Sequence, residues 1–297
     1  MAFSADSNYV LLGDNLDVLR KIPDESVDLV YMDPPFNTGN PQTRKDVKTL
    51  QDEAAERALH ASVIEKMGKS YSYEDNFGDL FYPFIRLRLT EVQRVLKPTG
   101  SALVHLDWRE AAYIRVLGDS IFGRENFFNE IIWAYDYGGR SKRRFPRKHD
   151  NILAWAKDEK QRFFEICDED RIPYKSGKGG LVSDEKLKKG KRRTDVIWHT
   201  IVPTNSHEKT GYPTQKPIGL LEILIRALSP KDGLVLDPFA GSGTTGEAAI
   251  RNDRRFILVD ENLQALEVMR DRFKPYLLSG KSIKFKNMTV HASIGAK

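Results

Sequence analysis

Short apolar runs alternate along the chain with stretches whose apolar residues recur at helical spacing. The apolar runs are typical of buried strands and cover 9–12, 27–32, 102–106, 131–135, 152–156, 234–236 and 256–259. The stretches with helical spacing cover 15–21, 84–96, 111–121, 218–228, 244–251 and 263–273. Because strands that alternate with helices form a parallel sheet covered on both faces, the pattern predicts an α/β fold.

Proline and polar stretches interrupt this alternation. The helix at 263–273 is expected to stop before Pro275, because proline lacks the N–H that continues a helix. Residues 37–80 are polar and charged. A connection of this length without a periodic pattern is usually functional or mobile, so we expect a mobile loop with some helix at 37–80.

The composition is that of an ordinary globular protein. The 297 residues are 40% hydrophobic and 30% charged, which allows one large domain or two small ones with a full core. A single cysteine, Cys167, excludes a disulfide framework, and the histidines show no metal-ligand spacing, so no metal is expected. No apolar run approaches the ~20 residues of a membrane span and the start has no signal pattern, so we expect a cytoplasmic protein without a membrane partner.

Positive charge is concentrated in one segment. Between Gly138 and Lys216 there are 20 Lys or Arg against 11 Asp or Glu, whereas the rest of the chain has 27 against 31. Such a segment suits a polyanion, although a solvated loop is also compatible with the charge. The residues that we expect to contact nucleic acid come from its two densest runs and are Arg140, Lys142, Arg143, Arg144, Arg147, Lys148, Lys191, Arg192 and Arg193.

A glycine-rich turn follows one predicted strand and opens the predicted helix at 244–251. Its glycines have the spacing Gly-x-Gly-x-x-Gly, and an acid ends the next strand; these residues are Gly241, Gly243, Gly246 and Asp260. Glycine lets the backbone approach a ligand closely, and the acid can accept hydrogen bonds from ribose hydroxyls. A tight turn alone would need the same glycines, but strand, helix and acid in register favour a nucleoside ligand.

The strand at 27–32 ends in a second candidate site, Asp33-Pro34-Pro35-Phe36. Without the aromatic residue, this segment would be interpreted as a strand that ends in a turn. Phe36 changes the interpretation, because a ring beside a carboxylate and a rigid backbone carbonyl makes a stacking platform with two hydrogen-bond acceptors. Such a platform suits a planar ring with an exocyclic amino group, and stacking a base contributes about 1–3 kcal/mol.

Together these segments resemble the motifs of the amino-methylating DNA methyltransferases. The segment 33–36 is similar to their catalytic Asp-Pro-Pro-Tyr/Phe motif, and 237–243 resembles their S-adenosylmethionine loop. Gly13-Asp14 resembles the motif whose acid contacts the cofactor adenine, and 212–217 resembles the segment that encloses the methionine end. Because the catalytic motif precedes the cofactor loop with the basic segment between them, the order resembles that of the beta group.

The resemblance implies a Rossmann-like, circularly permuted, mostly parallel sheet of seven strands with an inserted target-recognition region. It divides the chain into a catalytic half at 1–130, a target-recognition region at 131–210 and a cofactor-binding half at 211–297. The implied catalytic residues are Asp33, Pro34, Pro35 and Phe36. The residues implied to bind S-adenosylmethionine are Asp14, Lys216, Pro217, Asp237, Phe239, Ala240, Gly241, Ser242, Gly243, Thr244 and Asp260.

The implied reaction is methyl transfer by direct displacement to an exocyclic amine of a base flipped out of duplex DNA. Within the family, Asp as the first residue of the catalytic motif is more typical of methylation at adenine N6. Asp33 therefore favours adenine N6, with cytosine N4 as the alternative. Methylation of a cytosine carbon is disfavoured, because it uses a thiol and Cys167 lies in a charged stretch. Trp133 or Tyr135 is a candidate for stacking on the opposite face of the base, although core packing explains both equally well.

Two other functions account for part of the sequence. A nicotinamide-dependent dehydrogenase would explain the glycine turn and Asp260 but leaves 33–36 and the basic segment without a role. A non-catalytic DNA-binding protein would explain the basic segment but not two ligand sites. A homodimer and a cognate restriction endonuclease are partners suggested by the resemblance alone.

Overall fold

The structure, a computed structural model, describes residues 7–37, 42–47, 67–73, 77–138, 140–174, 182–203 and 205–288. The strands are β1 (Asn8–Leu12), β2 (Val27–Met32), β3 (Gln42–Val47), β4 (Met67–Tyr73), β5 (Leu96–Leu106), β6 (Phe127–Ala134), β7 (His149–Ala156), β8 (Val196–Trp198), β9 (Leu234–Asp237), β10 (Arg255–Asp260) and β11 (Ile283–Asn287). The α-helices are α1 (Asn15–Leu19), α2 (Phe81–Val95), α3 (Ala111–Phe122), α4 (Asp184–Lys189), α5 (Ile218–Leu228), α6 (Thr244–Arg251) and α7 (Leu263–Leu278). In these ranges, no helix combines the length and the apolar character needed to cross a membrane.

Nine strands of the described residues form one mixed sheet in the order β11-β1-β10-β9-β2-β5-β7-β6-β8. The strands from β11 to β5 are parallel to one another, and β7 is antiparallel to both of its neighbours. The expected α/β fold with a mostly parallel sheet is confirmed. The expected number of seven strands is corrected to nine, because the short strands β11 and β8 add to the two edges and pair with backbone groups there.

Helices cover both faces of the sheet. In β2, Leu29 and Tyr31 belong to an apolar core that contains α5, α6 and α7. Val30 and Met32 belong to the opposite core, which contains α1, α2 and α3. Because both faces are covered, every residue of β2 is buried, and this explains why five of its six residues are apolar.

The prediction that the last helix stops before Pro275 is wrong, since α7 continues to Leu278. Proline removes one intrahelical hydrogen bond, but the following residues anchor the last turn. The Ser279 N–H donates to the Pro275 carbonyl at 3.1 Å, and the Tyr276 hydroxyl donates to Glu247 at 3.1 Å.

The mobile loop and the target-recognition region expected from the sequence lie partly outside the described residues. In the expected mobile loop at 37–80, β3 and β4 form an antiparallel pair, and 38–41, 48–66 and 74–76 are not described. In the expected target-recognition region at 131–210, β7, β8 and most of β6 are strands of the main sheet. The division of the chain into three functional parts stays a prediction.

The strands β2 and β9 are neighbours although they are far apart in sequence. Leu29 pairs with Val235 and Val30 with Leu236, so the carboxyl ends of both strands meet at one edge of the sheet. From β2 the sheet continues to β5, and from β9 it continues to β10 in the opposite direction. Ligands bind in the crevice at such a switch point of an open α/β sheet.

Candidate active site

A cavity of about 520 Å³ lies at the carboxyl ends of β2, β9 and β10. One side is the glycine-loop wall, defined as 237–245 with Asp260, and the other is the Asp33 wall, defined as 33–36 with Lys216. The predicted catalytic residues all line it, and they are Asp33, Pro34, Pro35 and Phe36. The predicted cofactor residues that line it are Lys216, Asp237, Phe239, Ala240, Gly241, Ser242, Thr244 and Asp260.

Three predicted cofactor residues are not among those that line the cavity. Pro217 caps α5, and Gly243 caps α6. Asp14 accepts two backbone N–H groups of α1, and its carboxylate is 3.3 Å from the guanidinium of Arg88. Arg88 itself lines the cavity and was missed by the sequence analysis, because only the fold brings α2 beside α1.

A buried carboxylate holds the start of the glycine-loop wall. Asp237 ends β9 and accepts the hydroxyl of Thr245 at 2.5 Å and the N–H of Phe239 at 2.9 Å. Burial raises the pKa of Asp237 to about 7, because a charged carboxylate loses its hydration there. The acid therefore has a structural role in the turn.

A second buried carboxylate, Asp260, ties the glycine turn to the end of β10. Its two oxygens accept the N–H groups of Gly241 and Asn262, each at 2.8 Å. Burial raises its pKa to about 6. Both oxygens thus have backbone donors, and the exposed neighbour Glu261, which the sequence analysis missed, also lines the cavity. The ribose-binding role of Asp260 stays a prediction.

The glycine turn brings bare backbone to the cavity. Gly241 and Gly243 have φ angles of +50° and +77°, in the left-handed region that favours glycine. A Cβ on Gly241 would lie 3.2 Å from the ring of Tyr212, which lines the cavity, whereas one on Gly243 would lie 2.7 Å from Cγ of the buried Met269, so this second glycine serves packing. This cradle and its acids fit a nucleoside that carries an amino-acid chain.

The Asp33 wall contains an ion pair between distant parts of the chain. The Lys216 Nζ lies 2.6 Å from Oδ2 of Asp33, and the side chains are 8% and 18% exposed. The second oxygen, Oδ1, is buried and has no hydrogen-bond partner among the described residues. The ammonium is also 5.0 Å from the centroid of the Phe36 ring. No local pattern in the sequence connects these two residues, so only the fold reveals their pairing.

A buried polar network lies behind Phe36. The Phe36 ring stacks on the ring of His105, with the centroids 6.0 Å apart. His105 is fully buried and is hydrogen-bonded to the Tyr31 hydroxyl at 2.6 Å and to Asp150 at 3.2 Å. Burial raises the pKa of Tyr31 well above its usual value, so this hydroxyl stays neutral. In the sequence, no signal distinguishes His105 from the other residues of its predicted strand.

Neither candidate for the second stacking residue lines the cavity. Trp133 is buried, and its indole N–H donates to the His199 carbonyl at 2.7 Å. The Tyr135 hydroxyl donates to Asp150 at 3.1 Å. Their positions fit the core-packing alternative.

The thiol also lies away from the cavity. Cys167 is not among the lining residues, and burial raises its pKa. A raised pKa lowers the thiolate fraction that nucleophilic attack requires. In the described ranges, no group of His, Cys, Asp and Glu is arranged to hold a metal ion.

The first basic run, 140–148, lies at the same sheet edge as Asp33. It forms the connection between β6 and β7, and Leu106 at the carboxyl end of β5 pairs with Asn151 near the start of β7. The Arg147 guanidinium lies 3.4 Å from the centroid of the half-exposed Trp108 ring. The predicted DNA-contacting residues of this run are Arg140, Lys142, Arg143, Arg144, Arg147 and Lys148.

The second basic run is not brought to that edge. Lys191, Arg192 and Arg193 precede β8, and β8 runs parallel to β6. The start of β8 therefore points away from the edge where β6 ends. Lys191 is also held by two backbone hydrogen bonds with Ile172, at 2.9 and 3.0 Å.

The chain is similar in sequence to known DNA methylases. Residues 27–271 match the family model of the N6/N4 methyltransferases, described as DNA methylase. DNA adenine methyltransferase YhdJ of Escherichia coli (strain K12) is 30% identical over 277 residues, which cover 90% of this chain and 82% of YhdJ.

Solved structures share the fold. TTHA0409 of Thermus thermophilus, described as a DNA modification methylase and complexed with S-adenosyl-L-methionine, matches with a TM-score of 0.59 at 22% identity. The match covers 96% of this chain and 100% of that one. The cytosine-N4-specific PvuII DNA methyltransferase matches with a TM-score of 0.56 at 20% identity, covering 94% and 95% of the two chains.

Proposed function

This chain belongs to the DNA methylase family of N6/N4 methyltransferases and is an S-adenosylmethionine-dependent DNA methyltransferase; we propose that it methylates the N6 amino group of adenine in duplex DNA. The observation that carries the proposal is that Asp33, Pro34 and the Phe36 ring line one cavity with the glycine turn. The name of the E. coli relative supports adenine, whereas the PvuII fold neighbour keeps cytosine N4 as the alternative.

The cofactor is proposed to lie along the glycine-loop wall, where the cradle fits it. When bound, S-adenosylmethionine supplies an electrophilic methyl group. The residues proposed to hold it by direct contact are Lys216, Asp237, Phe239, Ala240, Gly241, Ser242, Thr244 and Asp260. Asp14, Pro217 and Gly243 are proposed to act through the backbone that they support.

The Asp33 wall is proposed to orient the target amine. An exocyclic amine is a poor nucleophile, because its lone pair is delocalised into the ring. Asp33 and the Pro34 carbonyl each accept one N–H, which directs the lone pair towards the methyl carbon. The N–C bond forms as the carbon–sulfur bond breaks, and the proton leaves the product nitrogen for solvent. Alignment of the two reactants contributes about 7–11 kcal/mol.

The target base must leave the duplex to reach this cavity. Phe36 then stacks on it, with His105 behind the ring. The basic run between β6 and β7 lies at the same edge, where its cations contact phosphates and position the duplex. The second basic run, the homodimer and the cognate restriction endonuclease stay predictions.

Modification-resolved sequencing tests the proposal. DNA from cells that express the protein should carry N6-methyladenine at one recurrent short sequence, and cells that express Asp33→Ala should lack it. N4-methylcytosine at a recurrent sequence would overturn the choice of adenine. DNA without either modification, from cells with soluble wild-type protein, would contradict the proposed function.

A further inference from the structure

Lys216 occupies the place on the Asp33 wall that the target amine needs. Its ammonium is an N–H donor 2.6 Å from Oδ2 of Asp33 and 5.0 Å from the centroid of the Phe36 ring. An exocyclic amine on a base that stacks on Phe36 and donates to Asp33 would have the same two partners. The ammonium and the target amine therefore compete for one carboxylate.

Asp33 has no second accessible oxygen to offer. Oδ1 is buried, with no partner among the described residues, whereas Oδ2 is the oxygen that Lys216 contacts. A target amine therefore reaches Asp33 at Oδ2. Because the ammonium also lies 5.0 Å from the centroid of the Phe36 ring, where the base would stack, it must move from this place before the base is held in the reactive position.

Lys216 needs another anion before it can leave Asp33. Its side chain is 8% exposed, and a buried charge without a partner is strongly unfavourable. The buried acids of the opposite wall, Asp237 and Asp260, already accept two hydrogen bonds each. Glu261 follows β10 and is exposed to solvent. Asp150, a third acid near enough to interact with the Lys216 charge, already has two hydrogen-bond partners, so a bound ligand is the source of a counter-ion that disturbs none of these contacts.

We propose that Lys216 keeps Asp33 occupied until the carboxylate of the cofactor's amino-acid chain takes over its ammonium. This inference rests on the proposed function. It adds the order of binding, in which the cofactor binds before the base is flipped. The residues from Tyr212 to Lys216 line the cavity between the two walls, so the lysine lies within reach of both. Lys216 is thus a positioning residue that couples cofactor binding to acceptance of the base.

Two cofactor analogues distinguish this coupling from the effect of occupying the cofactor site alone. S-adenosylhomocysteine carries the amino-acid carboxylate, whereas 5′-methylthioadenosine has the same nucleoside and thioether without it. The probe is a duplex with the methylated sequence and 2-aminopurine next to the target adenine, whose fluorescence rises when the adenine leaves the stack. With wild-type protein, saturating S-adenosylhomocysteine should raise the fluorescence and saturating 5′-methylthioadenosine should not. An equal rise with both analogues would overturn the proposal.

Lys216→Met removes the charge and keeps much of the side-chain volume. We expect this variant to give the same rise in fluorescence with either analogue or with none. Its affinity for S-adenosylhomocysteine, measured by calorimetry, should fall about 10- to 100-fold, which corresponds to one charge-assisted contact, while its affinity for 5′-methylthioadenosine stays unchanged. A variant that still requires the carboxylate would refute the role of Lys216.

Lys274→Met is the matched control, because Lys274 is exposed on α7, and it should behave as wild type. Lys216→Arg keeps the charge and should retain the dependence on the carboxylate. If Lys216→Met does not fold, the two analogues on the wild-type protein decide the question alone. Failure of the wild-type protein to methylate DNA refutes the proposed function, whereas methylation with an equal response to both analogues refutes only this inference.

Discussion

The two walls of the cavity are held together in different ways. In the glycine-loop wall, Asp237 and Asp260 accept hydrogen bonds from groups that all belong to the segment from β9 to the start of α7. In the Asp33 wall, Asp33 is paired with Lys216, and Phe36 stacks on His105, so each partner comes from a remote part of the chain. One wall is a local unit, and the other forms only when the whole sheet is assembled.

This difference predicts that changes in each wall affect different properties. Substitutions in the glycine-loop wall should alter cofactor affinity and stability together, because the same acids hold the turn. Substitutions at 33–36 in the Asp33 wall should alter catalysis and base binding while the glycine turn stays intact, and Lys216 is the one residue of this wall whose substitution should also lower cofactor affinity.

The largest expected effect is that of Asp33→Ala. Methyl transfer should fall by about 10³-fold or more, because one acceptor of the target amine is lost. The affinity for S-adenosylhomocysteine should be at least that of wild type, since the glycine-loop wall is unchanged. Single-turnover methylation and calorimetry measure the two quantities, and Asp33→Asn controls for side-chain size. Wild-type turnover in Asp33→Ala would remove Asp33 from the mechanism.

The next effect concerns the stability of the glycine-loop wall. The pKa of Asp237 is about 7 in the folded protein against an ordinary value of 3.8. Because the folded state favours the protonated acid, the contribution of Asp237 to the free energy of unfolding is complete below pH 4 and decreases as the pH rises to 7. The decrease is on the order of 4 kcal/mol.

Asp237→Asn cannot ionise and should lack this decrease. Urea denaturation of both proteins between pH 4 and pH 8 gives the difference in unfolding free energy at each pH. The variant should gain stability relative to wild type as the pH rises. A difference that is independent of pH would show that Asp237 is not buried as a protonated acid.

A smaller effect is expected for Phe36→Ala in the Asp33 wall. The complex with an extrahelical base should weaken by about 1–3 kcal/mol, which is the contribution of one stacked ring. Titration of a 2-aminopurine duplex in saturating S-adenosylhomocysteine measures this loss. Equal affinity and equal fluorescence in variant and parent would contradict stacking on Phe36.

The smallest expected effect distinguishes the two basic runs. Reversal of charge at Arg143 and Arg144 should lower the slope of log affinity against log salt by about 2, because each phosphate contact contributes about 0.9. The matched change at Arg192 and Arg193, in the run that precedes β8, should alter the slope less. Equal decreases in slope for the two variants would indicate that both runs contact the duplex.

Most of the fold was predictable because the signals are local. The strand limits of β2, β9 and β10 follow from apolar runs, and both motifs stand directly after such runs. The exceptions depend on packing. Helix α7 passes Pro275 because Tyr276 and Ser279 hold the turn beyond it, and the edge strands β8 and β11 exist because the sheet offers them a partner.

The sequence by itself determined the α/β class, the two candidate sites and the family, since periodicity and turn chemistry are properties of neighbouring residues. Only the tertiary structure decided that Lys216 pairs with Asp33, that His105 supports Phe36, and that one basic run shares the active edge while the other does not. These facts depend on which strands become neighbours. Strand order arises from the packing of the whole sheet, and no short segment contains it.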